Sequence, residues 1–206
     1  MRRKHVIGLT GNIATGKSTV VDLLVELGAE AMDGDRMVHQ MMGPDSPLAS
    51  AIRAEFGDGT INPDGSINRP ALGGIVFSDP AKLRALEAIT WPAVLERKRA
   101  AIHEPGPDVL ILDAIKLFES GMADDCDEVW VVTAPRETQI ERIMQRNNVD
   151  RAEAERRIDA QPPQEEKVAR ADVVIDNSGS LDSLQEQVQS AWNRLTAADL
   201  ASTSLT

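Results

Sequence analysis

The first apolar run, His5-Val6-Ile7-Gly8-Leu9-Thr10, is short, largely β-branched and ends at a glycine, the pattern of a strand buried on both faces of a parallel sheet. Val20, Leu23, Leu24 and Leu27 then recur at helical spacing, so a helix is expected from Lys17, with Gly28 placed for a left-handed C-terminal cap. Ala29 to Asp33 reads as a second strand that completes a βαβ unit. From Arg36 to about Glu104 the patterning is helical, broken by a turn-rich stretch from Gly57 to Asn68, and shows no buried strand. Within it Ser46-Pro47 and Ser78-Asp79-Pro80 read as helix starts, and Pro92 is expected to kink or divide the helix that begins near Pro80.

Buried-strand runs return at Val109-Leu110-Ile111-Leu112, Val129-Trp130-Val131-Val132 and Val173-Val174-Ile175. Helices are expected between and after them, at about Arg136 to Arg146, at Asp150 to Ala160 with an Asp150…Glu153 capping box, and at Leu181 to Leu195. Five strands alternating with helices predict an α/β protein with a parallel sheet, carrying one helical insertion. Residues 196–206 show no periodicity and read as a flexible tail.

Composition narrows the classes. The 206 residues fit one compact domain with a sizeable insertion, or two small domains. An apolar content of 42% supplies a core, and 27% charged residues argue against a disordered chain. With 33 acidic against 22 basic residues the net charge is −11, which makes duplex nucleic acid a poor partner. No apolar run approaches the ~20 residues of a membrane helix. The basic start, Met1-Arg2-Arg3-Lys4, leads into an apolar stretch too short for a signal peptide. Cys126, the single cysteine, can form neither an intramolecular disulfide nor a zinc site, and a cytoplasmic location is expected. The sequence carries no signal for a particular oligomeric state.

Between the first strand and its helix lies Gly11-Asn12-Ile13-Ala14-Thr15-Gly16-Lys17-Ser18, followed by Thr19, which matches G-x-x-x-x-G-K-[ST], the Walker A loop. Glycines at Gly11 and Gly16 let successive N–H groups wrap a phosphate, and the helix N-terminus adds partial positive charge. Lys17 can reach the β- and γ-phosphates of ATP and Ser18 can ligate Mg²⁺. The chain is therefore expected to bind a nucleotide, on the three-layer α/β/α fold of P-loop proteins.

Ligands collect at the carboxyl ends of parallel strands, which directs attention to Asp33-Gly34-Asp35 and to Asp113. One carboxylate could accept a proton from an acceptor hydroxyl while Asp33 or Asp113 orients Mg²⁺ through water. Arg142 and Arg146, four apart on a helix, share a face from which they could clamp transferring phosphates, Arg146 being the better placed. Arg156 and Arg157 read as part of a solvated helix laced with glutamates. His5, His39 and His103 lack metal-ligand spacing. No Asn-Lys-x-Asp guanine-reading motif is present, which disfavours a GTPase switch. A kinase of small molecules fits best; a nucleoside monophosphate kinase or a non-catalytic nucleotide-binding regulator are the competing readings.

Several blocks together resemble the dephospho-CoA kinase family from Val6 to Leu195: Ile7-Gly8-Leu9-Thr10-Gly11 with Gly16-Lys17-Ser18-Thr19, then Asp33-Gly34-Asp35, Ile75-Val76-Phe77 followed by Asp79-Pro80, Leu117-Phe118-Glu119-Ser120-Gly121, Ala160-Gln161, and Ala171-Asp172-Val173-Val174-Ile175-Asp176-Asn177-Ser178-Gly179. The family usually carries His-Pro where this chain has Trp91-Pro92, and Pro-Leu-Leu where it has Ile115-Lys116-Leu117. The resemblance implies phosphorylation of the 3′-hydroxyl of dephospho-CoA by ATP with Mg²⁺. It also implies Asp35 as the base, Lys17 and Ser18 at the phosphates and metal, Arg142 and Arg146 on the lid side, and Asn177 and Gly179 near adenine. By the same resemblance, residues 1–35 and 105–195 form the nucleotide-binding core, residues 36–104 hold the acceptor, and residues 142–166 include a lid.

Overall fold

The computed structural model describes residues 3–34, 37, 41–44 and 46–203, with the side chains of 98 and 197–203 outside the description. Asp35, Arg36 and His39 therefore lie outside the described residues.

The strands are β1 (His5–Thr10), β2 (Glu30–Asp33), β3 (Val109–Asp113), β4 (Glu128–Thr133) and β5 (Val173–Asp176). They form one five-stranded sheet in the order β2-β3-β1-β4-β5, and the pairings of β1 with β3, β1 with β4 and β4 with β5 are all parallel. Central β1 and its neighbours β3 and β4 are almost wholly buried, as their unbroken β-branched and leucine runs require. Leu9 pairs with Asp113, so the chain leaves β1 beside the carboxyl end of β3.

Eight α-helices are described: α1 (Lys17–Glu26), α2 (Pro47–Phe56), α3 (Arg69–Val76), α4 (Pro80–His103), α5 (Arg136–Asn147), α6 (Arg151–Asp159), α7 (Gln164–Val168) and α8 (Leu181–Thr203). The chain divides into two compact units, one built on Asp33–Glu104, the other on Arg2–Met32 with Pro105–Thr206. In the second unit, Val20 and Leu24 of α1 and Leu184, Val188, Ala191 and Leu195 of α8 join Ile7, Leu9, Ile111, Trp130 and Ile175 from the sheet in one core. Trp192 of α8 packs against this core from its edge. Gly28 is left-handed, with φ +106°, directly after the α1 terminus.

The first unit has its own core, made by Leu48, Ala49 and Ile52 of α2, Leu72 and Val76 of α3, and Ile67. Its helices start on side-chain caps: Ser46 accepts from Ala49 N, Asn68 from Ala71 N and Asp79 from Ala81 N, each with proline in the first turn. The turn-rich stretch holds one antiparallel bridge, Ile61 to Ile67.

Pro92, expected to kink or divide its helix, does not divide α4, which is a single helix of 24 residues carrying the half-exposed Trp91. Two expectations need correction. The expected capping box before α6 is made only in part: Asp150 accepts from Glu153 N, but the Glu153 carboxylate pairs with Arg156 and Arg157. And α8 does not stop at Leu195 but continues through the region read as a tail to Thr203. Alanine and leucine at 197, 198, 200 and 201 are strong helix formers that need no core-facing repeat to extend an existing helix. Residues 204–206 lie outside the description.

Candidate active site

The loop from Gly11 to Gly16 leaves β1 and folds onto the start of α1. Backbone conformation and crowding explain both glycines. A Cβ at Gly11 would stand 2.5 Å from the Val132 carbonyl oxygen. Gly16 has φ +93°, and a Cβ there would stand 2.0 Å from Asn177 Nδ2. Thr15 Oγ1 donates to the Asn12 carbonyl at 3.0 Å, tying the loop to itself.

Around this loop opens a cavity of about 830 Å³. It is lined by every residue from Asn12 to Thr19, by Arg142, Gln145 and Arg146 of α5, by Asn177 and Gly179 beyond β5, by Ile115 beyond β3, and by Leu181 and Leu184 of α8. The loop, both arginines, Asn177 and Gly179, picked out separately along the sequence, thus share one cavity. Gly11 sits beneath it, buried against β4.

The α5 helix aims its arginines by burying another face. Ile140 and Ile143 pack with Ala154 and Ile158 of α6 in a small core that also receives Ile13 and Ala14 from the loop. Arg142 is anchored over the loop, donating from Nη1 to the Ala14 carbonyl at 3.2 Å and from Nη2 to the Asn177 carbonyl at 3.5 Å. Asn177 Nδ2 in turn donates to the Thr15 carbonyl at 2.8 Å. Arg146 is exposed one turn on, its Nε donating to Asn147 Oδ1 at 3.2 Å. By contrast Arg156 and Arg157 pair with Glu153 and line no part of the cavity, as the sequence suggests.

Lys17 Nζ forms a hydrogen-bonded ion pair with Asp113 Oδ1, and both side chains are largely buried. The cavity therefore gathers three cations in a chain that is acidic overall, with Asp113 as a counter-charge to Lys17. Such a setting accepts a polyphosphate. Ser18 opens the first turn of α1, exposed on the cavity wall. Asp33 ends β2, exposed, and Asp35 lies outside the described residues.

Among the described residues no group of three His, Cys, Asp or Glu side chains could enclose a metal ion. Mg²⁺ asks for less: it keeps several waters and takes one or two protein oxygens together with substrate phosphates. A serine hydroxyl at the loop and the Asp113 carboxylate beside Lys17 fit that demand.

Four lining residues, Ile115, Gln145, Leu181 and Leu184, escape a reading by motif. Leu181 and Leu184 look like core positions of an amphipathic helix; Leu184 is one, yet it also borders the cavity beside Leu181, which is 56% exposed. Lys116, which departs from the family's usual apolar residue, is exposed and lines none of the cavity, whereas its neighbour Ile115 does.

A phosphate-binding loop after the central strand of a parallel sheet, with two arginines of a later helix at the same cavity, defines a P-loop small-molecule kinase. A shikimate kinase from Acinetobacter baumannii shares this fold, with a TM-score of 0.55 over 96% of each chain at 15% identity. The likeness to dephospho-CoA kinase from Campylobacter jejuni is greater, with a TM-score of 0.70, 26% identity, and 95% of this chain and 99% of that chain covered. In sequence, a dephospho-CoA kinase of Symbiobacterium thermophilum is 48% identical over 91% of this chain and 80% of its own length. One from Geobacter sulfurreducens is 44% identical over 91% and 97%. The family model described as Dephospho-CoA kinase matches residues 5–183. The chain belongs to the dephospho-CoA kinase family.

Proposed function

We propose that this chain transfers the γ-phosphoryl group of ATP to the 3′-hydroxyl of dephospho-CoA, giving coenzyme A. The observation that carries the reading is the single cavity shared by the phosphate-binding loop, Arg142, Arg146, Asn177 and Gly179, in a chain whose family bears that activity in its name. In this reading the triphosphate lies along the loop amides and draws Lys17 away from Asp113. Arg146 reaches over the transferring group, where developing charge is best met by preorganised donors. Adenine rests against Leu181 and Leu184 near Asn177 and Gly179, and Arg142 holds that end of the loop closed.

Asp35 is assigned as the base that accepts the proton of the 3′-hydroxyl, from the family pattern carried by Asp33-Gly34-Asp35. Ser18 would hold Mg²⁺ directly and Asp33 or Asp113 would orient its waters, and the ion would supply counter-charge to the transferring phosphates. Residues 36–104 are assigned to the acceptor, residues 142–166 to a lid that excludes water, and residues 1–35 with 105–195 to the nucleotide core. Among the described residues no helix is long and apolar enough to cross a membrane, and the reaction, on two small soluble substrates, is assigned to the cytoplasm.

The test is ADP release by the purified protein with Mg-ATP and dephospho-CoA, AMP or no acceptor, with product mass confirmed. Turnover with dephospho-CoA alone and a mass gain of one phosphoryl group is the expected result. Turnover with AMP instead, or ATP binding without turnover on either acceptor, overturns it.

A further inference from the structure

One buried charge in the core unit takes no part in the site as described. Lys167 sits on α7 and is only 3% exposed, an unusual place for a lysine. Its Nζ donates to the Ile115 carbonyl oxygen at 2.8 Å. The same oxygen accepts from Thr10 Oγ1, at the end of β1, at 3.1 Å. Ile115 lines the nucleotide cavity two residues after Asp113, and between them Ala114 N donates to the Leu9 carbonyl at 3.1 Å. The turn out of β3 is thus held at consecutive residues, on one side by β1 and on the other by Lys167. A few residues further on, the Arg170 guanidinium stands 3.9 Å over the Phe118 ring, a second tie between the same two segments.

A neutral donor could have bonded this carbonyl at lower cost, since burying an ammonium is expensive. Burial, opposed by Glu119 and reinforced by Lys17, holds the Lys167 ammonium below the usual lysine range. The charge therefore has an environment that disfavours it, and it stands within electrostatic reach of the phosphate-binding lysine.

Resting on the function proposed above, we propose that Lys167 is a positioning residue for phosphoryl transfer: through the Ile115 carbonyl it fixes the turn that follows Asp113, the ion-pair partner of Lys17. It touches neither substrate nor metal. Its effect falls on how well the cavity matches the transferring group, where small misplacements are costly.

The test compares the wild-type protein with Lys167→Met, which keeps the stem and removes the ammonium, and with Thr10→Val, which removes the other donor to the same carbonyl. Lys167→Met is expected to lower kcat about tenfold or more while the dissociation constant for ATP moves by less than about threefold. In the double variant the losses are expected to be non-additive, because both act through one oxygen atom. A smaller fall in kcat, or a loss carried wholly by ATP affinity, overturns the proposal. If Lys167→Met does not fold, Thr10→Val decides: a lower kcat at unchanged ATP affinity supports the proposal and an unchanged kcat overturns it. Acceptor-free ATP hydrolysis is followed in the same samples. Should wild-type protein leave dephospho-CoA unphosphorylated, the functional reading fails, and the effect of Lys167→Met on hydrolysis still decides the role of Lys167.

Discussion

Replacing Gly16 with alanine tests the construction of the loop more sharply than any charge removal. Two costs add. With φ at +93°, a Cβ brings left-handed strain of about 1–2 kcal/mol. The same Cβ falls 2.0 Å from Asn177 Nδ2, so the amide must swing away from the Thr15 carbonyl it now meets at 2.8 Å. Leaving that buried pair unmade costs about 1–3 kcal/mol. The sum is about 2–5 kcal/mol, which for a chain of this size is a fall in Tm of about 4–20 °C. Calorimetry of Gly16→Ala with and without ATP measures it, and the stabilisation by ATP should shrink as well, because the displaced amide enters the cavity. A second variant, Gly16→Ala in an Asn177→Ala background, separates the terms: the overlap disappears and the strain stays. If Gly16→Ala melts within 1–2 °C of wild type, on the order of the assay's own error in ΔΔG, and binds ATP as before, the account of the Gly16–Asn177–Thr15 contact is wrong.

Three further outcomes follow from the residues described. Asp35→Asn should leave ATP affinity within a few-fold and lower turnover about 10²-fold or more, measured by coupled ADP release; unchanged turnover removes Asp35 as the base. Gly8→Ala places a Cβ 2.7 Å from Leu117 Cδ2 and 2.8 Å from Cys126 Sγ, so urea denaturation should show a loss of about 1–3 kcal/mol, partly recovered by Cys126→Ala. For Lys167, whose folded-state pKa lies below its ordinary value, the unfolded chain binds more protons between the two values, so stability should rise with pH across that alkaline window. Melting temperatures of wild type and Lys167→Met should therefore change relative to each other, in favour of wild type, as pH climbs toward 10.5; parallel curves contradict this.

Much of the fold is written locally. The run from His5 to Thr10, the loop and the repeat Val20-Leu23-Leu24-Leu27 each have one physical interpretation, and β1 and α1 form where those patterns lie. Ser46 and Asp79 cap as their positions suggest. Helix α7 is different: Gln164-Glu165-Glu166-Lys167-Val168 has no apolar repeat, and only tertiary packing buries its lysine. At the site, Arg142 and Asn177 are recognisable as candidates, but nothing local says that they hold Gly16 between them. Lys17 and Asp113 are likewise legible one at a time; their pairing depends on the register of β1 against β3. Leu181 and Leu184 are invisible as wall residues because an apolar position on an amphipathic helix looks the same whether it faces a core or a cavity.

The distribution of tryptophan gives this chain a built-in optical label for each of its units. There is no tyrosine, so near-ultraviolet absorbance and emission come almost entirely from three indoles. Trp130 is fully enclosed in β4 and donates from Nε1 to Glu128 Oε2, and Trp192 lies against the same core, whereas Trp91 belongs to the other unit and is partly open to water. Buried and open indoles emit at different wavelengths, and a Trp130→Phe, Trp192→Phe protein retains only the reporter in Asp33–Glu104. Titrating ATP and dephospho-CoA separately into that protein would show, by colour shift alone, which ligand this unit senses.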